Sequence, residues 1–229
     1  MTSPRCIAFC TLLLFQNGLS IFLDQNCGLI DSSKSRTPWL ANILTEVEHK
    51  FICSGTLINR RYVLTTATCL QNRPAITVCL GKCDSFSDDV LYKNARYRIP
   101  HESYSSSNHQ NDIGLINLQP NVEYNAYIKP ICIRIDPQQK WSNSHMNGSL
   151  WSGIRYKPKH KSSICSEPPC KAIGKPLSIP DASNRSVQHG ILSFQDSKTN
   201  AYVYTNVFEF IEWLVEKALD IDIIVSLPA

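Results

Sequence analysis

Short apolar segments alternate with turn-forming residues along most of the chain. Six of these segments are rich in Ile, Val, Tyr, Phe and Thr and are separated by Ser, Asn, Asp and Pro; they span residues 51–58, 62–66, 75–80, 113–118, 190–194 and 201–207. Strand-forming residues at this spacing, bounded by turn signals, are typical of antiparallel barrels and sandwiches. The pattern therefore predicts an all-β fold.

One segment near the C-terminus has helical rather than strand periodicity. Its apolar residues fall at i, i+3, i+4, i+7, i+8 and i+11, which predicts one continuous helix face formed by Val207, Phe210, Ile211, Leu214, Val215 and Ala218. Two polar segments, 103–111 and 155–169, are predicted to be exposed loops.

The first twenty residues have the features of a secretory leader. Arg5 provides a positive start, residues 6–15 form an apolar run, and Gly18 and Ser20 are small residues placed for cleavage after Ser20. Ten apolar residues are too few to cross a hydrocarbon core, which needs about 20. We expect a signal peptide at 1–20, an extracellular protein and no membrane span.

Composition and charge narrow the class further. The chain has 229 residues, of which 43% are hydrophobic and 18% charged, so it can bury a core and is not a disordered chain. A net charge of +4 is mild and gives no reason to expect a nucleic-acid partner. Ten cysteines exclude a reducing compartment, and removal of the leader leaves eight, an even number suited to four disulfides.

Several ordered segments resemble the trypsin/chymotrypsin-like serine proteases. They read Cys-Ser-Gly-Thr-Leu-Ile-Asn from Cys53, Tyr-Val-Leu-Thr-Thr-Ala-Thr-Cys from Tyr62, and Asn-Asp-Ile-Gly-Leu-Ile-Asn-Leu from Asn111. Residues 128–133, 190–194 and 202–207 are similar to the family's linker and last two strands, and Asp-Gln-Asn-Cys-Gly from Asp24 is similar to insect members without a clip domain.

The resemblance implies two packed antiparallel six-stranded β-barrels with a cleft between them and a C-terminal helix. It places a short segment at 21–37 where the family has its activation peptide, the homology domain at 38–220 and a tail at 221–229. It also implies two disulfides, Cys27–Cys132 and Cys53–Cys69. Four further cysteines are offered as two local pairs, Cys79 with Cys83 and Cys165 with Cys170, and their pairing is left open.

The family hydrolyses peptides with a serine, a histidine and an aspartate. By resemblance Asp112 occupies the aspartate position, but Thr68 occupies the histidine position and cannot act as a base near neutral pH. The segment from Lys171 reads Lys-Ala-Ile-Gly-Lys-Pro-Leu. Alignment on Pro-Leu puts Ile173 at the nucleophile position, and alignment on Cys170 puts Gly174 there. The sequence therefore predicts that no catalytic residue set is intact and that the chain is not an enzyme.

Two further replacements concern the substrate pocket. Gln195 and Tyr202 stand where active relatives have glycines, and a tyrosine brings much more volume into a close-packed site. We expect an occluded pocket, with Tyr202 folded into it as part of the core.

Other candidate sites are weaker. His101, Glu102 and His109 match no compact ligand spacing, so neither a metal nor a cofactor is expected. The basic run at 155–161 is interpreted as an exposed loop rather than a site for heparin-like polymers. Asn147 and Asn184 begin glycosylation sequons.

The leading hypothesis is a secreted serine protease homologue that acts by binding extracellular proteins as a regulator, scaffold or decoy in a proteolytic or immune cascade. The alternatives are an active trypsin-like endopeptidase and a decaying duplicate without a selected function.

Overall fold

The computed structural model describes residues 22–31, 33, 35, 37–73, 75–83, 89–135, 153–156, 173–199 and 201–219, with 153–156 described by their backbone alone. Within these residues the chain forms ten strands and one short α-helix. The predicted all-β class with a C-terminal helix is confirmed.

The first six strands form a closed antiparallel barrel. They are β1 (Leu40–Thr45), β2 (Phe51–Leu57), β3 (Tyr62–Thr65), β4 (Ile76–Gly81), β5 (Val90–Pro100) and β6 (Gly114–Leu118), and their order around the barrel is β1-β2-β3-β6-β5-β4. Closure leaves neither sheet edge exposed, which is one way in which an all-β unit avoids unpaired strands.

The remaining strands form a second antiparallel sheet. They are β7 (Gly153–Tyr156), β8 (Pro176–Pro180), β9 (Ser186–Gln195) and β10 (Tyr202–Asn206), in the order β7-β10-β9-β8. The resemblance implied a second six-stranded barrel here. The residues described in this half provide four of those strands.

The predicted C-terminal helix is present, in two parts. A 3₁₀ turn, Val207–Phe210, is capped by Asn206, whose side chain accepts a hydrogen bond from the Phe208 N–H, and it leads into α1 (Ile211–Ala218). The apolar face packs between the barrel and the second sheet, in a cluster that includes Trp39, Ile113, Ile191, Phe210 and Leu214. A separate cluster fills the barrel interior.

The six predicted strands appear at nearly their expected positions, but β1, β5, β7 and β8 were not predicted. The apolar and polar residues of β5 do not alternate regularly, so no strand signal is visible there in the sequence. The irregular residue order coincides with a register shift in the pairing of β5 with β6, between Ala95 and Tyr97. Arg155 and Tyr156, which the sequence placed in an exposed loop, belong to β7.

Three disulfides lie within the described residues: Cys27–Cys132, Cys53–Cys69 and Cys79–Cys83. The expectation of a disulfide-bonded protein is confirmed, whereas Cys165 and Cys170 lie outside the described residues. The first bridge fixes the N-terminal segment, where Gly28 also donates its N–H to the carbonyl oxygen of Pro130. No helix among the described residues is both long and apolar enough to cross a membrane.

Candidate functional site

The site is built around the side chain of Asp112, which is fully buried two residues before β6 begins. Thr68, just beyond β3, donates its backbone N–H to Asp112 Oδ1 at 2.8 Å. Ser193 of β9 donates its hydroxyl to Oδ2 at 2.5 Å. Thr205 of β10 donates to the Asp112 carbonyl oxygen at 2.8 Å. The barrel and the second sheet therefore meet at one carboxylate.

The charge state of Asp112 reflects two opposing influences. Burial raises the pKa of Asp112 above its ordinary value, and the hydrogen bonds from Ser193 and Thr68 oppose that shift because they stabilise the ionised form. A buried carboxylate requires such donors, since leaving a buried charge unpaired is costly.

Thr68 is the residue that the sequence resemblance aligns with the family's histidine. Its hydroxyl and the hydroxyl of Tyr104 are 2.7 Å apart, and burial is the main cause of the raised pKa of Tyr104. Among the described residues, no imidazole nitrogen lies within hydrogen-bonding distance of Asp112.

An imidazole does approach from another direction. His109 Nδ1 lies 4.0 Å from Asp112 Oδ2 and has no hydrogen-bond partner. The ring stacks on Phe194, with centroids 4.6 Å apart and an interplanar angle of 24°. The His109 side chain is 33% exposed, so one edge of the ring faces solvent beside the Asp112 network.

The two candidate nucleophile positions lie against the barrel. Ile173 accepts the Ser54 N–H through its carbonyl oxygen at 2.8 Å and packs on the barrel cluster. Gly174 has a φ of +91° and donates its N–H to the carbonyl oxygen of Leu192 at 2.7 Å. Neither side chain carries a nucleophile, while the preceding residues, including Lys171, lie outside the described part of the chain.

The pocket residues correct one expectation. Tyr202 pairs directly with Gln195 between β10 and β9, so the two side chains share a face of the sheet. Gln195 is exposed and Tyr202 is half-buried, so Tyr202 is not the core residue that the sequence predicted. Tyr202 is only half-buried because its side chain lies on the same sheet face as the exposed Gln195.

The remaining candidates are dispersed. His101 packs on Phe210 and Trp213, and Glu102 accepts the Trp213 Nε1–H at 2.9 Å, so these two residues anchor α1. In the part of the chain that the structure describes, no three His, Cys, Asp or Glu side chains could hold a metal ion. Asn184 is exposed in a turn, and Asn147 lies outside the described residues.

The sequence did not assign Ser193, Tyr104 or Phe194 to the site. Ser193 had a visible signal, because it is a single polar residue within the apolar segment 190–194. Tyr104 and Phe194 had none, since their contacts depend on how the two sheets meet.

Comparisons with known proteins identify the family. The family model described as Trypsin matches residues 28–154. Clotting factor G beta subunit of Tachypleus tridentatus is 36% identical over 42% of this chain and 33% of its own length. Serine protease grass of Drosophila melanogaster is 25% identical over 86% and 72%, and chymotrypsin of Phaedon cochleariae is 28% identical over 73% and 72%. The chain thus spans about a third of the first of these relatives and most of the other two.

These relatives contradict the prediction that the chain is not an enzyme. Two of them are named as a serine protease and a chymotrypsin, and nothing in the comparisons marks this chain as an inactive branch. That prediction was drawn from Thr68 at the histidine position and from Ile173 or Gly174 at the nucleophile position, and it is wrong as a statement about the family matched. On the match to more than half of its residues and on its barrel-and-sheet architecture, the chain belongs to the trypsin family.

Proposed function

We propose that this protein is secreted and acts in an extracellular proteolytic cascade by binding a protein partner at the His109–Phe194 face. The observation that carries the proposal is the stacked ring pair beside the Asp112 network. It gives the surface next to the family's reaction centre a half-exposed aromatic anchor. Aromatic side chains in such positions contribute much of the binding energy at protein interfaces.

The interior of the site supports recognition by this face. The Asp112 oxygens are engaged by Thr68 and Ser193, and the Thr68 hydroxyl is engaged by Tyr104. These groups are bonded to one another, so an approaching protein meets His109, Phe194 and the exposed Gln195 rather than the buried carboxylate. A pair of rings held in one arrangement loses little freedom on binding, which favours affinity.

Two features support an extracellular location. Three disulfides lie within the described residues, and disulfides persist mainly in oxidising compartments. One relative is named a clotting factor subunit. The proposed organisation is a signal peptide at 1–20, a short segment at 21–37, the trypsin homology domain at 38–220 and a tail at 221–229.

The proposal is tested by affinity capture of the tagged, secreted protein from extracellular fluid, followed by mass spectrometry. A partner that binds the His109–Phe194 face should be captured by the unmodified chain. It should not be captured by the Phe194→Ala variant or by the His109→Ala variant. Tyr92→Ala is the matched control, since Tyr92 is an exposed ring on β5, 47% accessible, in the other sheet. A partner retained by both cleft variants contradicts the proposed surface.

Hydrolysis is measured on the same preparation. Ester substrates with arginyl, tyrosyl and alanyl groups, together with an organophosphate serine label, report any turnover. Turnover or stoichiometric labelling of a serine in the cleft would add peptide hydrolysis to the proposed binding role, and the binding role itself is judged by the capture experiment.

A further inference from the structure

One ring nitrogen beside the Asp112 network is buried without a hydrogen bond. His109 Nδ1 has no hydrogen-bond partner, although Asp112 Oδ2 lies 4.0 Å away. In a neutral imidazole with its proton on Nε2, Nδ1 is an acceptor. It then faces a carboxylate oxygen that is also an acceptor, and the two atoms cannot bond to each other. The 4.0 Å separation therefore fits a neutral ring.

The same imidazole is also held by an aromatic contact. Its ring stacks on that of Phe194 in β9, with centroids 4.6 Å apart. The His109 side chain is 33% exposed, so the stacked pair forms part of the surface. The imidazole of His109 thus has two neighbours that can attract it, an aromatic ring and a carboxylate.

The loop that carries His109 is fixed by its own hydrogen bonds. Asn111 Nδ2 donates to the carbonyl oxygen of Ser103 at 2.8 Å, and the Ser105 N–H donates to the carbonyl oxygen of Gln110 at 3.0 Å. His109 itself has a φ of +56°. Residues other than glycine adopt this left-handed conformation at a cost, and such residues cluster at ligand clamps and switch regions. With the backbone fixed, the movement open to His109 is rotation of its side chain.

The groups that surround the ring include one charge. Among the described residues, Asp112 is the charged side chain within ion-pair range of the imidazole. Its oxygens accept hydrogen bonds from the Thr68 N–H and the Ser193 hydroxyl, which favour the ionised form. Tyr104, a titratable residue of the ring's own loop, is bonded through its hydroxyl to that of Thr68. Phe194, from β9, does not titrate.

From this arrangement we propose that protonation of His109 separates the ring pair and releases a partner bound at the His109–Phe194 face. Histidine is the side chain whose charge ordinarily changes between about pH 5 and 8. A proton on Nδ1 converts it from an acceptor into a charged donor, and a hydrogen bond to Asp112 Oδ2 requires the gap to close to about 3 Å. The imidazole is then drawn toward Asp112 and leaves its contact with Phe194.

A bound partner opposes the same protonation. A partner that covers the stacked pair favours the neutral imidazole, because burying a charged group costs more than burying a neutral one. Partner affinity should therefore fall as the pH falls. This dependence on a partner rests on the proposed function, whereas the movement of the ring in the free protein does not.

The movement is tested by NMR on the full secreted chain without a partner. A nuclear Overhauser contact between the His109 and Phe194 rings should be present at about pH 7.5 and lost at about pH 5.5, as the Nδ1 resonance shifts to its protonated position. Asp112→Asn removes the charge, so the contact should persist at both pH values. The His49–Tyr92 pair is the control within the same molecule. Its ring centroids are 5.1 Å apart, no carboxylate of the described residues lies within ion-pair range of His49, and its contact should not change.

The effect on binding is measured with the partner recovered by affinity capture. Its affinity for the unmodified chain should be about tenfold weaker at about pH 5.5 than at about pH 7.5. Its affinity for Asp112→Asn should be the same at both pH values, and urea unfolding checks that this variant is folded.

The outcomes separate this inference from the proposed function. A ring contact that persists at the lower pH in the unmodified chain overturns the inference, as does an equal loss of the contact in Asp112→Asn. A partner bound equally at both pH values overturns the regulation of binding. Failure to capture a partner at either pH counts against the proposed function, and the NMR measurement still decides whether the ring moves.

Discussion

Ser193 and Asp112 are joined by a 2.5 Å hydrogen bond although 81 residues separate them in the chain. Ser193 lies in β9 of the second sheet, and Asp112 lies just before β6 of the barrel. Both residues are almost completely buried, so this bond joins the two halves of the protein in a region without bulk water. The same carboxylate also fixes the segment that follows β3, through Thr68.

Replacement of Asp112 should distinguish charge from hydrogen bonding. Asp112→Ala leaves the Thr68 N–H and the Ser193 hydroxyl buried without an acceptor, and we expect a loss of about 3 kcal/mol in the free energy of unfolding. Asp112→Asn can accept from Thr68 and donate to the Ser193 oxygen, so it should cost no more than about 1 kcal/mol. Urea unfolding at pH 7 measures both. Equal losses for the two variants would show that the charge itself is required.

Gly174 should tolerate no side chain. Its φ is +91°, and a Cβ there would overlap the carbonyl oxygen of Ser54. Gly174→Ala should therefore cost about 3 kcal/mol or more, from the left-handed backbone and the overlap together. Gly190→Ala is the control, because that residue lacks a positive φ and a Cβ would lie 3.0 Å from the Tyr204 Cβ. Unfolding midpoints in which Gly190→Ala is the worse variant would contradict this assignment.

The free energy of unfolding should depend on pH through two groups, His189 and Asp112, whose effects have opposite signs. Burial, aided by the charge of Arg134, lowers the pKa of His189 from 6.5 to about 4. Between these values the unfolded chain binds a proton that the folded chain does not, so His189 makes stability fall as the pH falls from 6.5 to 4. The raised pKa of Asp112 acts oppositely, because protonation in the folded state relieves the cost of burying its charge.

Single variants separate these two contributions. His189→Gln should flatten the loss of stability between pH 6.5 and 4, whereas Asp112→Asn should make that loss steeper. Urea midpoints at several pH values in this interval provide the measurement. A His189→Gln profile that is parallel to that of the unmodified chain would rule out His189 as a source of the pH dependence.

The three disulfides should contribute different amounts to the free energy of unfolding, according to the lengths of the loops they close. Cys27–Cys132 spans 105 residues, Cys53–Cys69 spans 16 and Cys79–Cys83 spans 4. On chain entropy alone, replacing each pair with alanines should cost about 5, 3 and 2 kcal/mol in that order. Non-reducing peptide mapping checks the pairing, and unfolding of the three double variants checks the order. A larger loss for Cys79–Cys83 than for Cys27–Cys132 would exclude loop entropy as the main cause.

Asn184 should carry a glycan in the secreted protein. It is exposed in the turn between β8 and β9, where it has a φ of +60°. Asn184→Gln should lower the mass by one glycan and remove the corresponding shift on treatment with an amidase. An unmodified Asn184 peptide in the mass spectrum of the secreted protein would disprove this.

The sequence by itself determined the fold class, the positions of most strands and the C-terminal helix. These depend on local periodicity, which is visible in segments such as 51–58 and in the apolar face that includes Phe210 and Leu214. By resemblance it also singled out Asp112, whose assignment to the family's aspartate position stays a prediction.

The tertiary structure alone decided which polar groups meet Asp112, because Thr68 follows β3 and Ser193 lies in β9, far apart in the chain. It also decided the stacking of His109 on Phe194 and the half-buried position of Tyr202, which follows from pairing with the exposed Gln195. The course of β5 was hidden from the sequence for a related reason. A bulge changes the alternation of side chains, and a bulge is defined by the register with a neighbouring strand rather than by the residues of the strand itself.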